Sequence, residues 1–480
     1  MPTNNELAWT PAHELREMVA SKQVSPVELT ENALERAERF NPALNAFLTI
    51  ASDYALDAAR AAELAVMNGD DLGPLHGVPT SIKDMEAVAG LRHTDGSLVF
   101  SDRIAETDAL AVERIKSTGA VIIGKTNTPE YGHIGTGENR LGDPCVNPWD
   151  PGRTSGASSA GAGASVAAGV TPLAQGSDGG GSIRIPSALC GIYGIKATQG
   201  RAPRRASGLA GWNPINTSSA GPMARDVRDA AIMLQAMSGP SPDAEPGTID
   251  EEPPDFVAAL DRGVRGLRIA WSHDLGGVPV DPGVVKVTGA AAQVFSELGA
   301  TVDEPGFRAD DPEAVLEAFF GVFRSKAFAQ NGWMLEQHPD LVTDYYRLGI
   351  ERGRDMSTET LIMAQARIMK YRSYVGDFFE NYDLLLTPTT AVPAFPIGNE
   401  PEEIGGMPVP DRRMGFTPFT YLFNMTGNPA ATVPAGFSED GMPIGLHIIG
   451  RMRDEETVLA ASAAFEQARP WAQHRPAMAV

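Results

Sequence analysis

Apolar positions along this chain follow two spacings. Over residues 11–40 and 52–67 they recur every three or four residues, which predicts amphipathic helices. Ser25-Pro26 followed by Glu28 reads as an N-cap with proline at the first helical position. Leu29, Ala33, Leu34 and Ala37 fall on one face behind it. Helices are also expected over 107–119 and 284–298. Between them lie short apolar runs at 120–124, 264–271, 300–303 and 383–387, the last stopped by Pro388. Runs of this kind predict buried strands. Helices alternating with short buried strands predict an α/β fold with a mixed, mostly parallel sheet.

The texture changes along the chain. A helical part (1–70) leads into a glycine-rich core (71–235). The segment 239–256 is acidic and proline-rich and reads as an exposed loop. Residues 311–380 read as helices dense in aromatics, and 383–475 returns to the core. No internal repeat is present, and one compact unit over 1–480 is expected. Phe319, Phe320, Phe323, Phe328, Trp333, Tyr345, Tyr346, Tyr371 and Tyr374 suit either a core or a substrate pocket, since ligand sites are also apolar and aromatic.

Composition narrows the function. Hydrophobic residues make up 42% and charged residues 21% of the 480 positions, ordinary for a soluble globular protein. The net charge of −22 argues against a nucleic-acid or membrane-surface partner, because such a field repels polyphosphate and anionic lipid. Two cysteines, Cys145 and Cys190, make no disulfide framework, and no Cys/His cluster suggests a metal. The first residues lack the basic and apolar regions of a secretory signal, and the weakly apolar run 161–174 is too short to span a bilayer. A cytoplasmic monomer or homodimer with no metal or cofactor is expected.

The chemistry concentrates between Arg153 and Thr198. Residues 151–200 hold 12 of the 50 glycines and seven serines. Glycine lets the backbone approach a ligand closely, and a serine hydroxyl becomes a nucleophile beside a base. Gly179-Gly180-Gly181 before Ser182 suits either a flexible turn or a fan of N–H groups around an oxyanion. Upstream, Thr80-Ser81-Ile82-Lys83-Asp84 would, as a strand, place Ser81 and Lys83 on one face and Asp84 on the other. Lys83 is then either a surface lysine or a buried base. An exposed lysine resists deprotonation at pH 7 by about 4.6 kcal/mol, and burial removes most of that cost. The chain has no GxxxxGK[ST] phosphate loop, no dinucleotide GxGxxG and no GxSxG elbow. His76, His93 and His133 lie near the glycine-rich segments without the partner pattern of a Ser-His-Asp triad.

These residues resemble the amidase signature family of hydrolases. The resemblance is carried by Lys83 in SIKD, by SGASSAG, and by GSDGGGSIRIPSALCGIYGIKAT. GAVIIGKTNTPEYG, NPWDPGRTSG, FNMTGNPAATVPAG and GMPIGLHIIGR support it. Lys83 to Ser158 is 75 residues and Ser158 to Ser182 is 24, the family's usual pattern. The resemblance implies one large domain with its sheet covered by helices on both faces. It implies Ser182 as the acyl-accepting nucleophile, Ser158 as a bridging serine behind a cis peptide bond, and Lys83 as the base. The N–H groups of Gly179, Gly180, Gly181 and Ser182 would form the oxyanion hole, with Ser159, Asp178 and Arg184 supporting the loop. Candidate substrate-binding positions are Met85, Gly132, Thr136, Phe319 and Trp333. Three departures stand out: Ala157 and Ala160 replace flanking glycines, Gly179 replaces Thr or Ile, and His447 stands where glutamine is common.

The implied substrate is a small or medium amide, anilide or carbamate. Within the family the alternative is the glutaminase component of a tRNA-dependent amidotransferase. That component typically has glutamine before the proline where this chain reads SIRIP. A non-catalytic binding protein on the same scaffold is a further alternative, opposed by the presence of all three catalytic positions.

Overall fold

The computed structural model describes residues 3–205 and 216–479, so residues 206–215 of the glycine-rich core lie outside the described residues. The first predicted helix is two, Ala12–Ala20 and Pro26–Leu44. Proline has no N–H to continue a helix, so Ser25 adopts extended backbone and starts a new one. Its hydroxyl accepts from Val27 N, and Glu28 completes a capping box.

Among the described residues thirteen strands follow in chain order: β1 (Phe47–Ile50), β2 (Pro79–Lys83), β3 (Val121–Thr126), β4 (Leu173–Asp178), β5 (Tyr193–Lys196), β6 (Ser219–Ala224), β7 (Arg268–Trp271), β8 (Thr301–Asp303), β9 (Leu384–Pro388), β10 (Glu403–Ile404), β11 (Met407–Pro408), β12 (Ala430–Phe437) and β13 (Pro443–Gly450). Eleven form one sheet in the order β1-β3-β2-β4-β6-β5-β12-β13-β9-β7-β8, and β10-β11 make a separate ribbon. The α/β class and the mixed sheet are as expected. The balance is not: only β2–β3, β2–β4, β7–β8 and β7–β9 are parallel. The other six pairs are antiparallel. The tight Ser438–Met442 connection between β12 and β13 permits only an antiparallel hairpin, because a parallel pair needs a long crossover.

Helices cover both faces. Side chains alternate along a strand. Leu384 and Leu386 accordingly enter one core cluster while Leu385 enters another, and Ile448 and Ile449 divide the same way. The loop 239–256 contains no helix or strand and is pinned by buried Ile249 and Phe256. The helices Pro312–Asn331, Trp333–Gln337, Asp344–Arg354 and Thr358–Asn381 fill 311–380. Phe319, Tyr346 and Tyr371 are buried there, and Phe328 is exposed.

The parallel pair β2–β4 positions the site. Lys83 and Asp178 are the last residues of these strands, and Ser182 follows four residues after Asp178. Ligands in sheets of this kind collect at the carboxyl ends of parallel strands.

Candidate active site

All five residues of β2 are buried, and Lys83 is 0% exposed. The surface alternative for this lysine is thereby removed. Its Nζ donates to Ser158 Oγ at 2.7 Å and to Ser177 O at 3.3 Å. Burial brings its pKa down to about 7, against the opposing pull of the Asp178 and Glu86 carboxylates. Asp84 points away from it and pairs with buried Lys125 at 3.3 Å.

Ser158 and Ser159 precede the helix Ala160–Ala167, and the Ala157–Ser158 peptide is cis. Ser159 N donates to Ser182 O at 3.0 Å. Ser159 Oγ donates to Ser177 O and accepts from Ser177 N, both at 3.2 Å. Ser159 thus ties the serine segment to β4 and to the Ser182 loop. On the other side stands Gly132, with φ +63°; a Cβ there would lie 2.7 Å from Ser158 Oγ. Only glycine combines that backbone with that approach.

The Ser182 loop hangs on Asp178. Its carboxylate accepts from Gly181 N at 2.7 Å, Ile183 N at 3.1 Å and Asn424 Nδ2 at 2.8 Å. Arg184 Nε and Nη2 each reach it at 2.9 Å. Burial favours the neutral acid, but Arg184 and these donors outweigh it and hold the carboxyl well below the usual range. Gly181 has φ +128°, and a Cβ there would collide with Thr420. Arg184 Nη1 also donates to His447 Nε2 at 3.0 Å. Burial, reinforced by the Arg184 charge, keeps His447 neutral. Its Nδ1 lies 3.3 Å from Thr387 Oγ1, whose hydroxyl donates to Pro388 O. An acceptor facing Arg184 is the role a glutamine oxygen would fill, which accounts for histidine at this position.

Of the four N–H groups expected to face an oxyanion, one is turned to the protein itself. Gly181 N–H is engaged by Asp178, so it does not serve a ligand. Gly179, Gly180 and Ser182 line the cavity in front of the loop; Gly181 does not.

That cavity, about 140 Å³, is shared by Ser158 and Ser182. A larger one of about 940 Å³, bordered by Arg268, Arg372 and Arg451, touches none of Lys83, Ser158 or Ser182. The smaller cavity is the one with the Ser158 and Ser182 side chains in its wall.

The amidase family model matches residues 28–459. The chain belongs to the amidase family. It is 40% identical to an acylamidase of Rhodococcus erythropolis over 99% of this chain and 98% of that protein. It is 34% identical to a component of the glutamyl-tRNA(Gln) amidotransferase of Moorella thermoacetica, over 99% of this chain and 100% of that one. A crystal structure of a bacterial aryl acylamidase of the amidase signature family superposes with a TM-score of 0.91, at 34% identity, over 97% of each chain. The protein is an amidase signature hydrolase acting on amide C–N bonds. No helix among its described residues is long and apolar enough to cross a membrane.

Of the substrate positions expected in this amidase, Met85, Gly132 and Phe319 line the cavity. Thr136 and Trp333 do not. Thr136 is buried beside the cavity-lining 131–135 segment, and Trp333 packs against Phe100 and His338. Phe323 and Tyr346, two of the aromatics that suited either core or pocket, line it as well, and so do Tyr131, His133 and Lys326, which the sequence did not single out as pocket residues. His133 stacks on Phe323 at 4.8 Å, and burial lowers its pKa to about 3, so it is neutral. The helical period running through Phe319, Phe323 and Lys326 was the available signal for the lysine.

Proposed function

We propose that this amidase cleaves small and medium organic amides, among them anilides and aryl or alkyl amides, through an acyl-enzyme on Ser182. The observation that carries the reading is the 2.7 Å hydrogen bond from Lys83 to Ser158, in a cavity that Ser182 shares. A lysine with a pKa near 7 is substantially neutral at neutral pH, so its amine can act as a base. Ser158 gives its proton to Lys83 and takes the proton of Ser182. Ser182 Oγ then bonds to the carbonyl carbon, and the carbonyl oxygen becomes an oxyanion. The N–H groups of Gly179, Gly180 and Ser182 supply its hydrogen bonds; one such donor is worth about 3 kcal/mol. Collapse of the intermediate breaks the C–N bond, and the proton returns through Ser158 to the leaving nitrogen. Water, deprotonated by the same relay, releases the acid. Carbamates and esters pass through the same tetrahedral carbon and suit the same machinery.

The 40% identity to an acylamidase supports this reading over the glutaminase one. The cavity wall does so too: it includes no Asp or Glu among the described residues to receive the ammonium of glutamine. A kcat/KM panel of anilides, alkyl amides, peptide amides, aryl carbamates and free glutamine tests it. Turnover of the organic amides well above glutamine is expected, and hydrolysis of glutamine alone overturns it.

A further inference from the structure

The wall of the cavity carries a charge that the relay does not use. On the helix Pro312–Asn331, Phe319, Val322, Phe323, Lys326, Ala327 and Gln330 face the cavity. Their spacing is one helical stripe. Phe319 marks the end nearest the nucleophile: a Cβ at Gly180 would stand 2.8 Å from its ring. Lys326, seven residues on, lies roughly 10 Å farther along the helix axis. Between them the surface is aromatic, with Phe319 stacked on Phe323 at 5.0 Å and Phe323 on neutral His133.

Lys326 is half-buried, and among the described residues no carboxylate forms an ion pair with it. The undescribed 206–215 contain no Asp or Glu in sequence. Arg204, the other cation lining the cavity, is already paired with Glu86 at 2.7 Å. The nearby Glu245 carboxylate accepts from Asn216 instead. Burial and the Arg204 charge, against the opposing pull of the Glu245 carboxylate, bring the Lys326 pKa down to about 8, so the ammonium still predominates at pH 7. A chain with 61 acidic and 39 basic residues has thus placed two cations and no acid on this wall. Glu245 acts on this ammonium only at a distance; a partly desolvated ammonium with no carboxylate in hydrogen-bond contact is unfavourable, and a ligand carboxylate would relieve it.

We propose that Lys326 selects amides carrying a carboxylate at the end remote from the scissile bond, joined by an aryl or short alkyl spacer that fills the aromatic stretch. The inference rests on the acyl-enzyme reading of Ser182 given above. It makes Lys326 a specificity-determining residue and the preferred substrate an anion.

The test uses two matched pairs of substrates. On the amine side, 4-acetamidobenzoate is compared with 4-acetamidoacetophenone; on the acyl side, adipic acid monoanilide with hexananilide. In at least one pair, the charged-to-neutral ratio of kcat/KM should fall roughly tenfold or more in Lys326→Met, chiefly through KM. Lys326→Arg should restore it. A ratio unmoved by Lys326→Met in both pairs, with the compounds still cleaved, overturns this inference and leaves the acyl-enzyme reading intact. No cleavage of any of the four by the native protein removes both.

Discussion

Lys83 Nζ stands 2.7 Å from Ser158 Oγ with no part of the lysine exposed to solvent. A buried amine with one hydroxyl in front of it has a pH dependence that can be predicted with its sign. With the pKa near 7, the protonated lysine predominates below that pH and cannot accept the serine proton. The acid limb of log kcat/KM should therefore rise with unit slope to an apparent pKa near 7. Lys196 is also buried, with a pKa brought to about 7, and needs a control. The acid limb should persist in Lys196→Met.

The same burial has a cost in stability. Between pH 7 and 10.5 the unfolded chain binds a proton at Lys83 that the folded chain does not, so stability rises with pH across that window. Below it the penalty is complete, on the order of 4 kcal/mol at pH 7. Lys83→Met should be inactive and yet more stable than the native protein at pH 7. Urea unfolding at pH 7 and 9 checks this: the advantage should shrink by about 2 kcal/mol at the higher pH.

Gly132→Ala should cut kcat at least tenfold. Its φ of +63° is costly for alanine by about 1–2 kcal/mol, and the new methyl would press on Ser158 Oγ from 2.7 Å. Steady-state kinetics on an anilide, with a melting curve as the folding control, reads the effect.

His447 accepts from Arg184 at 3.0 Å, so what matters there is an acceptor rather than an imidazole. His447→Gln should keep both fold and activity. His447→Leu should leave an Arg184 N–H unsatisfied and cost about 1–3 kcal/mol by urea titration.

Legibility followed the range of the interactions. The cap at Ser25, the strands around Lys83 and Ile122, and the Gly-Ser stretch are local patterns, and each was readable in place. The sheet's balance was not, because β4 and β5 each pair with β6 across more than twenty residues of chain, and β5 with β12 across more than two hundred, rather than by local spacing. The site divides likewise. Lys83, Ser158 and Ser182 sit in recognisable motifs, whereas Lys326 and Tyr346 come to the cavity only when the helices of 311–380 pack over it. The Gly181 N–H is held by Asp178, a contact that depends on the turn between them and not on the glycine run itself.

The proposed mechanism makes Ser182 the nucleophile and Ser158 its relay to Lys83. Ser158 is already hydrogen-bonded to Lys83, and Ser182 lies on the loop whose N–H groups surround the cavity. The most direct measurement is peptide mass spectrometry after inactivation with a fluorophosphonate. The phosphonyl group should be found on Ser182, with no labelling in Ser182→Ala. A label on Ser158 or Ser159 in the native enzyme would contradict the assignment.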